Sequence, residues 1–364
     1  MSEPLVRGRT TLITVAAVII IIFAMQAAKV LLVPFLLAVF LSLVSVRPLL
    51  FMQRQRIPGV VAVLLIVIVM MLILAIFGVI VGTSIAEFTA ALPTYQARLD
   101  AMMEGFLRFL AARVDGDQPI ENLGDVIDPG WAMGMAANML NALRDVLTNT
   151  LLIFLTMTFI LLEASTFPVK ITAAFGRGEE HMAEFREFLI NLGRYLGIKT
   201  LVSLATGITA WLLTWSVGLD FPLLWGLLAF LLNYIPVIGS IIAAIPAVLL
   251  ALLQFGLGPA VGIAIGYLVI NLIYANVIEP RMMGYGVGIS PLVVLLSIVF
   301  WGWVFGPVGM LLSVPLTMTL KIGLEANEDT RWVAVLLGSG RDAQHALEEQ
   351  EEPGEGVHAK AGIS

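Results

Sequence analysis

Asn233-Tyr234-Ile235-Pro236-Val237-Ile238-Gly239-Ser240, followed by Ile245-Pro246, interrupts an uncharged run that extends from 221 to 278. The run is too long for one membrane crossing of about 20 residues and too short for three. Its two prolines each remove a backbone donor and clash with the preceding turn. In lipid, such irregular backbone is tolerated only where protein buries it or a cavity receives it. A second uncharged run, 282–320, contains Gly306-Pro307-Val308-Gly309-Met310-Leu311-Leu312-Ser313-Val314-Pro315. Both segments give Pro, Val, Gly, aliphatic residues and then a second Pro, with different spacing. Paired Gly/Pro-interrupted segments are the sequence pattern of a transporter's binding region.

Working outward, the other charge-free stretches are 10–28, 30–46, 57–86, 146–162 and 200–219, and each fits one crossing. The chain of 364 residues is 59% hydrophobic and 13% charged, about half the charge of a soluble domain. Its mean hydropathy is +0.98. The expected fold is therefore an all-α polytopic membrane protein. It would have about six spanning helices plus two Pro/Gly-broken hairpins, or eight spanning helices, with a small extracytoplasmic helical segment. In the hairpin version, 222–253 dips in from outside, 259–278 crosses once, and 290–322 dips in from inside. In the other version, 222–253 and 290–322 are single full crossings.

Positive charge in short loops sets the orientation. Arg7 and Arg9 precede the first span, and Arg47, Arg54 and Arg56 lie between the second and third. Lys170, Arg177, Arg186, Arg194 and Lys199 follow the fourth. Both termini are expected in the cytoplasm. The expected divisions are membrane helices one to three over 1–84, an external amphipathic segment over 85–145, membrane helices four and five with a cytoplasmic loop over 146–219, a transport core over 220–323, and an acidic disordered tail over 324–364. Ile85, Phe88, Leu92, Leu99, Met102, Phe106, Leu110 and Val114 give the external segment a mostly helical period. The tail carries nine acids against three Lys/Arg from Glu325 onward, too polar to fold alone.

Polar groups at membrane depth each need a partner or a purpose. Asn233, Ser240, Asn271, Tyr274 and Asn276 are the candidates to line a site for a small polar solute. On one helix, Asn271 and Tyr274 lie close together and Asn276 points elsewhere. Glu279 and Asp220 are the candidate ion-coupling groups, because they alone supply carboxylates between Lys199 and Lys321. Asp220 precedes Pro222 and also suits a helix cap. Glu279 also suits an ion pair or membrane-edge anchor, and Glu163 is a weaker third candidate. Gly258, Gly262 and Gly266 share a face that suits close helix packing.

Enzyme chemistry finds little support. Cysteine is absent, and His181, His345 and His358 are the only histidines, all in charged segments. No HExxH, Gly-x-Ser-x-Gly or phosphate-loop lysine motif occurs, and Gly284-x-Gly286-x-Gly288 does not follow a strand. No metal or cofactor is expected. The expected partners are membrane lipid, a small polar solute and Na⁺ or H⁺, with no nucleic acid. A channel or a membrane scaffold is the competing class.

Four blocks then converge. Asn233 through Pro246, Glu279-Pro280-Arg281-Met282-Met283-Gly284, Gly288-Ile289-Ser290-Pro291-Leu292 and Gly309 through Pro315 resemble, in order and spacing, the autoinducer-2 exporter family. The resemblance implies a permease of a prokaryotic cytoplasmic membrane. It also implies homo-oligomers, with export of autoinducer-2 by some members and Na⁺/H⁺ antiport by others. Pro236, Gly239, Pro246, Pro280, Gly284, Pro291, Gly306, Pro307, Gly309 and Pro315 carry over as structural hinges, and no residue carries over as a ligand.

Overall fold

The computed structural model describes residues 3–111, 149–164, 170, 179–236, 238–283, 288–325 and 329–340, and they are helical apart from turns and short connections. Gly284, Val237 and residues 341–364 lie outside the described residues, as does 112–148 of the expected external segment. The chain divides into two compact units, one of Val30–Met282 and one of Met1–Lys29 with Met283–Ser364. The dividing point falls inside the stretch 220–323.

The larger unit begins with α2 (Lys29–Arg54) and α3 (Gly59–Ala111), after α1 (Glu3–Ala27) of the other unit. Then come α4 (Thr150–Glu163), α5 (Glu179–Val217), α6 (Pro222–Leu232), α7 (Gly239–Phe255) and α8 (Leu257–Ile273). A π-helical turn, Tyr274–Ile278, and α9 (Glu279–Met283) continue α8 without a break. Lys29–Arg54, Gly59–Ser84, Leu189–Val217 and Leu257–Met283 are each long and apolar enough to cross a membrane. Shorter apolar helices include Leu12–Ala27 and Thr150–Glu163. The chain is an all-α polytopic membrane protein. No break separates Ser84 from Ile85, because α3 runs through to Ala111.

Residues 222–253 are not one crossing. The chain reverses between Leu232 and Gly239, and the start of α6 meets the end of α7, where the Asp220 backbone N–H donates to Gln254 Oε1 at 3.2 Å. Arms of 11 and 17 residues reach only about 17 and 26 Å, short of a hydrocarbon layer about 30 Å thick. Pro236 sits in the turn. Gly239 opens α7 so close to α6 that a Cβ there would overlap the Leu232 carbonyl. Pro246 departs from its expected role as a hinge: it is buried inside a continuous α7. One missing N–H removes one rung of the ladder, and the reversal has already been made at 233–238.

Two interior clusters hold this unit. Ala38, Val63, Ile66, Phe154, Met157 and Leu161 knit α2, α3 and α4. Leu224, Trp225, Ala243, Ala247, Leu250 and Ile263 knit α6, α7 and α8. Helices α5 and α6 approach closely at Gly207 and Gly226, where a Cβ on either would lie 2.8 Å from the other's carbonyl oxygen. The glycine face expected on α8 is used only in part. Gly266 packs on the Leu213 side chain, whereas nothing lies within 4 Å of a Cβ built on Gly258 or Gly262.

The smaller unit contains α10 (Pro291–Phe305), α11 (Pro307–Leu311), α12 (Ser313–Glu325) and α13 (Arg331–Leu337). It is a second helical hairpin rather than a full crossing. Trp301 Nε1 donates to Thr317 Oγ1 at 3.0 Å, and Lys321 Nζ to the Gly288 carbonyl at 3.0 Å. Gly306, at φ +70°, makes the turn in backbone geometry that favours glycine. Pro307 begins α11 and Pro291 begins α10, where Ser290 caps by accepting from the Val293 N–H at 3.3 Å. Pro315 also departs from a hinge. It lies in the first turn of α12, where an N–H has no intrahelical acceptor to lose. Gly309 repeats the contact of Gly239, because a Cβ there would overlap the Trp301 carbonyl. Within the stretch expected as a tail from 324, α13 is helical. Ala334 is buried and the Ser290 N–H donates to the Leu337 carbonyl at 3.2 Å, because Val333, Ala334, Val335, Leu336 and Leu337 supply apolar surface that the later acidic run lacks.

Candidate functional site

The polar chemistry of the larger unit is arranged along α5. Tyr195, Lys199, Ser203, Thr206 and Thr214 are all buried, at spacings that repeat on one helix face. Thr206 and Thr214 satisfy themselves against the Val202 and Ala210 carbonyls, the local bond that hydroxyls make in helices. Lys199 and Ser203 bond to residues outside α5.

Lys199 pairs with Glu279. Its ammonium lies 2.7 and 2.8 Å from the two carboxylate oxygens, and the side chains are only 5% and 16% exposed. Two charges held this way persist only because each neutralises the other, since removing one partner strands the other away from water. The local backbone explains the register. Pro280 has no N–H, and its ring crowds the carbonyl of Asn276 four residues earlier. The chain responds with the wider π turn at Tyr274–Ile278, where the Glu279 N–H reaches back five residues to the Tyr274 carbonyl. Such turns concentrate at functional sites. Lys199 was assigned to a cytoplasmic loop from sequence. It lies instead inside the apolar segment Leu189–Val217.

The candidate residues separate into pairs. Asn233 Nδ2 donates to Ser203 Oγ at 3.0 Å, at the turn between α6 and α7. Beside it, Tyr234 Oη donates to Thr200 Oγ1 at 2.8 Å. Ser240 Oγ donates to Asn271 Oδ1 at 2.7 Å, joining α7 to α8. Tyr274 and Thr209 share a hydroxyl–hydroxyl bond of 3.0 Å. Asn271 and Tyr274 thus engage different helices despite sharing a face, and Asn276 is exposed. The α5 partners Lys199, Thr200, Ser203 and Thr209 escaped sequence reasoning. The available signal was a lysine flanked by residues apolar enough to extend the fifth span backward.

Asp220 does not cap α6 with its side chain, because Phe221 takes the cap position at φ +58° with no side-chain bond. The Asp220 carboxylate accepts from Tyr95 Oη at 2.7 Å and from Gln254 Nε2, tying α3 and α7 to the loop before α6. Burial first, and the bond to Asp220 second, push the Tyr95 phenol up to about 12. Tyr95 lies beyond the spanning part of α3. The neutral phenol is therefore favoured by folding. Its contribution is complete below the ordinary tyrosine pKa of about 10 and is lost as pH rises through about 12. Tyr95→Phe should lower stability at pH 7 by about 1 kcal/mol. Melting curves in detergent should show that the gap from wild type closes between pH 10 and 12. A pH-independent gap would place the stabilisation elsewhere. Glu163 pairs with Lys170, both well exposed.

Among the described residues no group of His, Asp and Glu could hold a metal ion. The arrangement offers paired charges, amides and hydroxyls at membrane depth, which suits binding and release. The sequence profile described as AI-2E family transporter matches residues 12–328. The AI-2 transport protein TqsA of Escherichia coli K12 is 38% identical over 93% of this chain and 98% of its own length. A putative transport protein of Haemophilus influenzae is 37% identical over 91% and 97%. The putative transport protein YhhT of Escherichia coli K12 is 33% identical over 93% and 97%. On the profile match and these likenesses, the chain belongs to the AI-2E family of membrane transporters.

Proposed function

We propose that this permease is a secondary carrier for a small polar solute, coupled to Na⁺ or H⁺ through Glu279. The observation that carries the reading is the buried Lys199–Glu279 pair beside a π turn. Ionisable groups at this depth are costly and mark ion paths and proton relays. The solute site is assigned to the Ser240–Asn271 pair, with Asn233 and Tyr274 as supporting contacts to α5 and Asn276 outside it. Pro236, Gly239, Gly306, Pro307 and Gly309 are the positions at which the two hairpins would flex. Asp220 has a bracing role beside Tyr95 and Gln254 rather than a coupling one. On this proposal the protein works in a prokaryotic cytoplasmic membrane, with both termini inside, as a homo-oligomer. It is not an enzyme, in keeping with relatives named for transport.

Reconstitution into proteoliposomes tests this. The AI-2 named for the TqsA relative is the first solute to try. Uptake should saturate, show counterflow and depend on an imposed Na⁺ or H⁺ gradient. Linear, non-saturating flux would indicate a channel. Proton release driven by Na⁺ alone, with no organic cargo moved, would indicate an antiporter.

A further inference from the structure

The π turn is fastened to α5 at both of its ends. At one end Glu279 pairs with Lys199. At the other, the Tyr274 hydroxyl lies 3.0 Å from Thr209 Oγ1. Thr209 Oγ1 already donates to the Ala205 carbonyl at 2.8 Å, so the phenol is the donor of this second bond. Tyr274 is also where the backbone register changes. Its own N–H bonds to the Ile270 and Asn271 carbonyls of α8, whereas its carbonyl accepts from the Glu279 N–H five residues on. One residue thus ends the α-helical ladder, starts the wider turn and ties its side chain to a neighbouring helix.

That turn decides which way Glu279 faces. In an α-helix, positions five apart differ by about 140° around the axis, since each residue adds about 100°. Tyr274 and Glu279 would then look in different directions, and only one of them could meet α5. A turn closed by an i→i+5 bond takes an extra residue into one revolution and brings the two back toward the same side. Both then reach α5, at Thr209 and Lys199. Pro280 obliges the ladder to widen nearby, and the Tyr274 side chain fixes where the widening starts. The geometry points to Tyr274 as the positioning residue of Glu279: its phenol, held by Thr209, sets the π turn that delivers the carboxylate to Lys199. This deepens the carrier reading and rests on it for what Glu279 does, though not for where Glu279 is held.

The test is labelling of Glu279 by dicyclohexylcarbodiimide in the full chain in phosphatidylcholine nanodiscs, read by mass spectrometry of the peptide that carries it. The reagent adds to an uncharged carboxyl in an apolar setting, so a carboxylate held on Lys199 reacts slowly. Lys199→Met gives the faster rate of the released group. Tyr274→Phe and Thr209→Val should each raise the wild-type rate about fivefold, the ratio for losing one hydrogen bond. The double variant should react no faster than either single one, because both remove the same bond. Thr209→Ser keeps the hydroxyl and should label at the wild-type rate. So should Thr206→Val, whose lost hydroxyl bonds only within α5. Thr209→Val keeps the side-chain shape, so it decides the matter even if Tyr274→Phe misfolds. Wild-type rates in both Tyr274→Phe and Thr209→Val would overturn the proposal. So would a further gain in the double variant, an equal gain in Thr206→Val, or a Lys199→Met rate no faster than wild type, which would leave no pair to position. Faster labelling in the variants, with no carrier flux by the wild type in liposomes, would keep the positioning role and remove the carrier reading. Gradient-driven flux by the wild type, with labelling unchanged in the variants, would do the reverse.

Discussion

Glu279→Gln is expected to abolish gradient-driven transport while leaving solute exchange intact. The amide keeps the shape and one acceptor but cannot carry the negative charge that a coupling Na⁺ or H⁺ would neutralise. It also leaves Lys199 charged and 5% exposed without its counter-ion. Breaking one side of a buried pair destabilises by about 3–5 kcal/mol, so the melting temperature in detergent should fall markedly. A double variant, Lys199→Met with Glu279→Leu, separates the two effects. It removes both charges and should recover most of the stability, yet gradient dependence should stay lost. Gradient-driven uptake by Glu279→Gln at the wild-type rate would strike Glu279 from the coupling role. Gradient-driven uptake by the double variant would make the pair purely structural.

The second large effect is expected at the elbows of the two hairpins. Gly239→Ala and Gly309→Ala each place a methyl group onto a backbone carbonyl, that of Leu232 in one case and of Trp301 in the other. Overpacking typically costs about 1–3 kcal/mol, with larger values where neighbours cannot move. A carbonyl near the end of a packed helix arm has little freedom to give way. Both variants should express poorly or melt well below wild type. Gly262→Ala is the contrast, because a Cβ there meets nothing within 4 Å. In a helix interior that change should be neutral or stabilising by up to about 1 kcal/mol. Gly239→Ala and Gly309→Ala proteins that melt with wild type would show that the arms do not close on their glycines.

The parallel between these elbows shows how far the sequence could be followed. Pro236-Val237-Ile238-Gly239 and Pro307-Val308-Gly309 were recognisable as a repeated pattern, and both are places where a helix turns back on itself. The same reasoning treated every proline alike. It assigned hinges to Pro246 and Pro315, where the chain stays helical. Composition tells that a donor is missing but not whether that donor had an acceptor. In the first turn of α12 it had none, and inside α7 the rest of the ladder carries on.

The candidate site was legible in kind and not in pairing. Asn233, Ser240, Asn271, Tyr274 and Glu279 could be chosen because a polar side chain in an apolar run is conspicuous. The partners Ser203 of Asn233 and Thr209 of Tyr274 could not, because serine and threonine bond to their own helix at little cost and are common in spans. Lys199 was misplaced because it stands at the edge of a charged segment, and charge counting reads edges as loops. Asp220 looked like a cap by its neighbours, yet its carboxylate is engaged by Tyr95 and Gln254, distant in sequence.

By itself, the sequence determined the solvent of this protein, its helical class and the two segments in which a helix turns back. Those follow from local properties: hydrophobic runs longer than a bilayer needs, and Pro or Gly where a backbone donor or a Cβ is missing. Only the tertiary structure decided which charges and amides are partners and which glycines are contacts. These depend on which face each helix turns toward its neighbours, and that is fixed by packing between segments far apart in the chain.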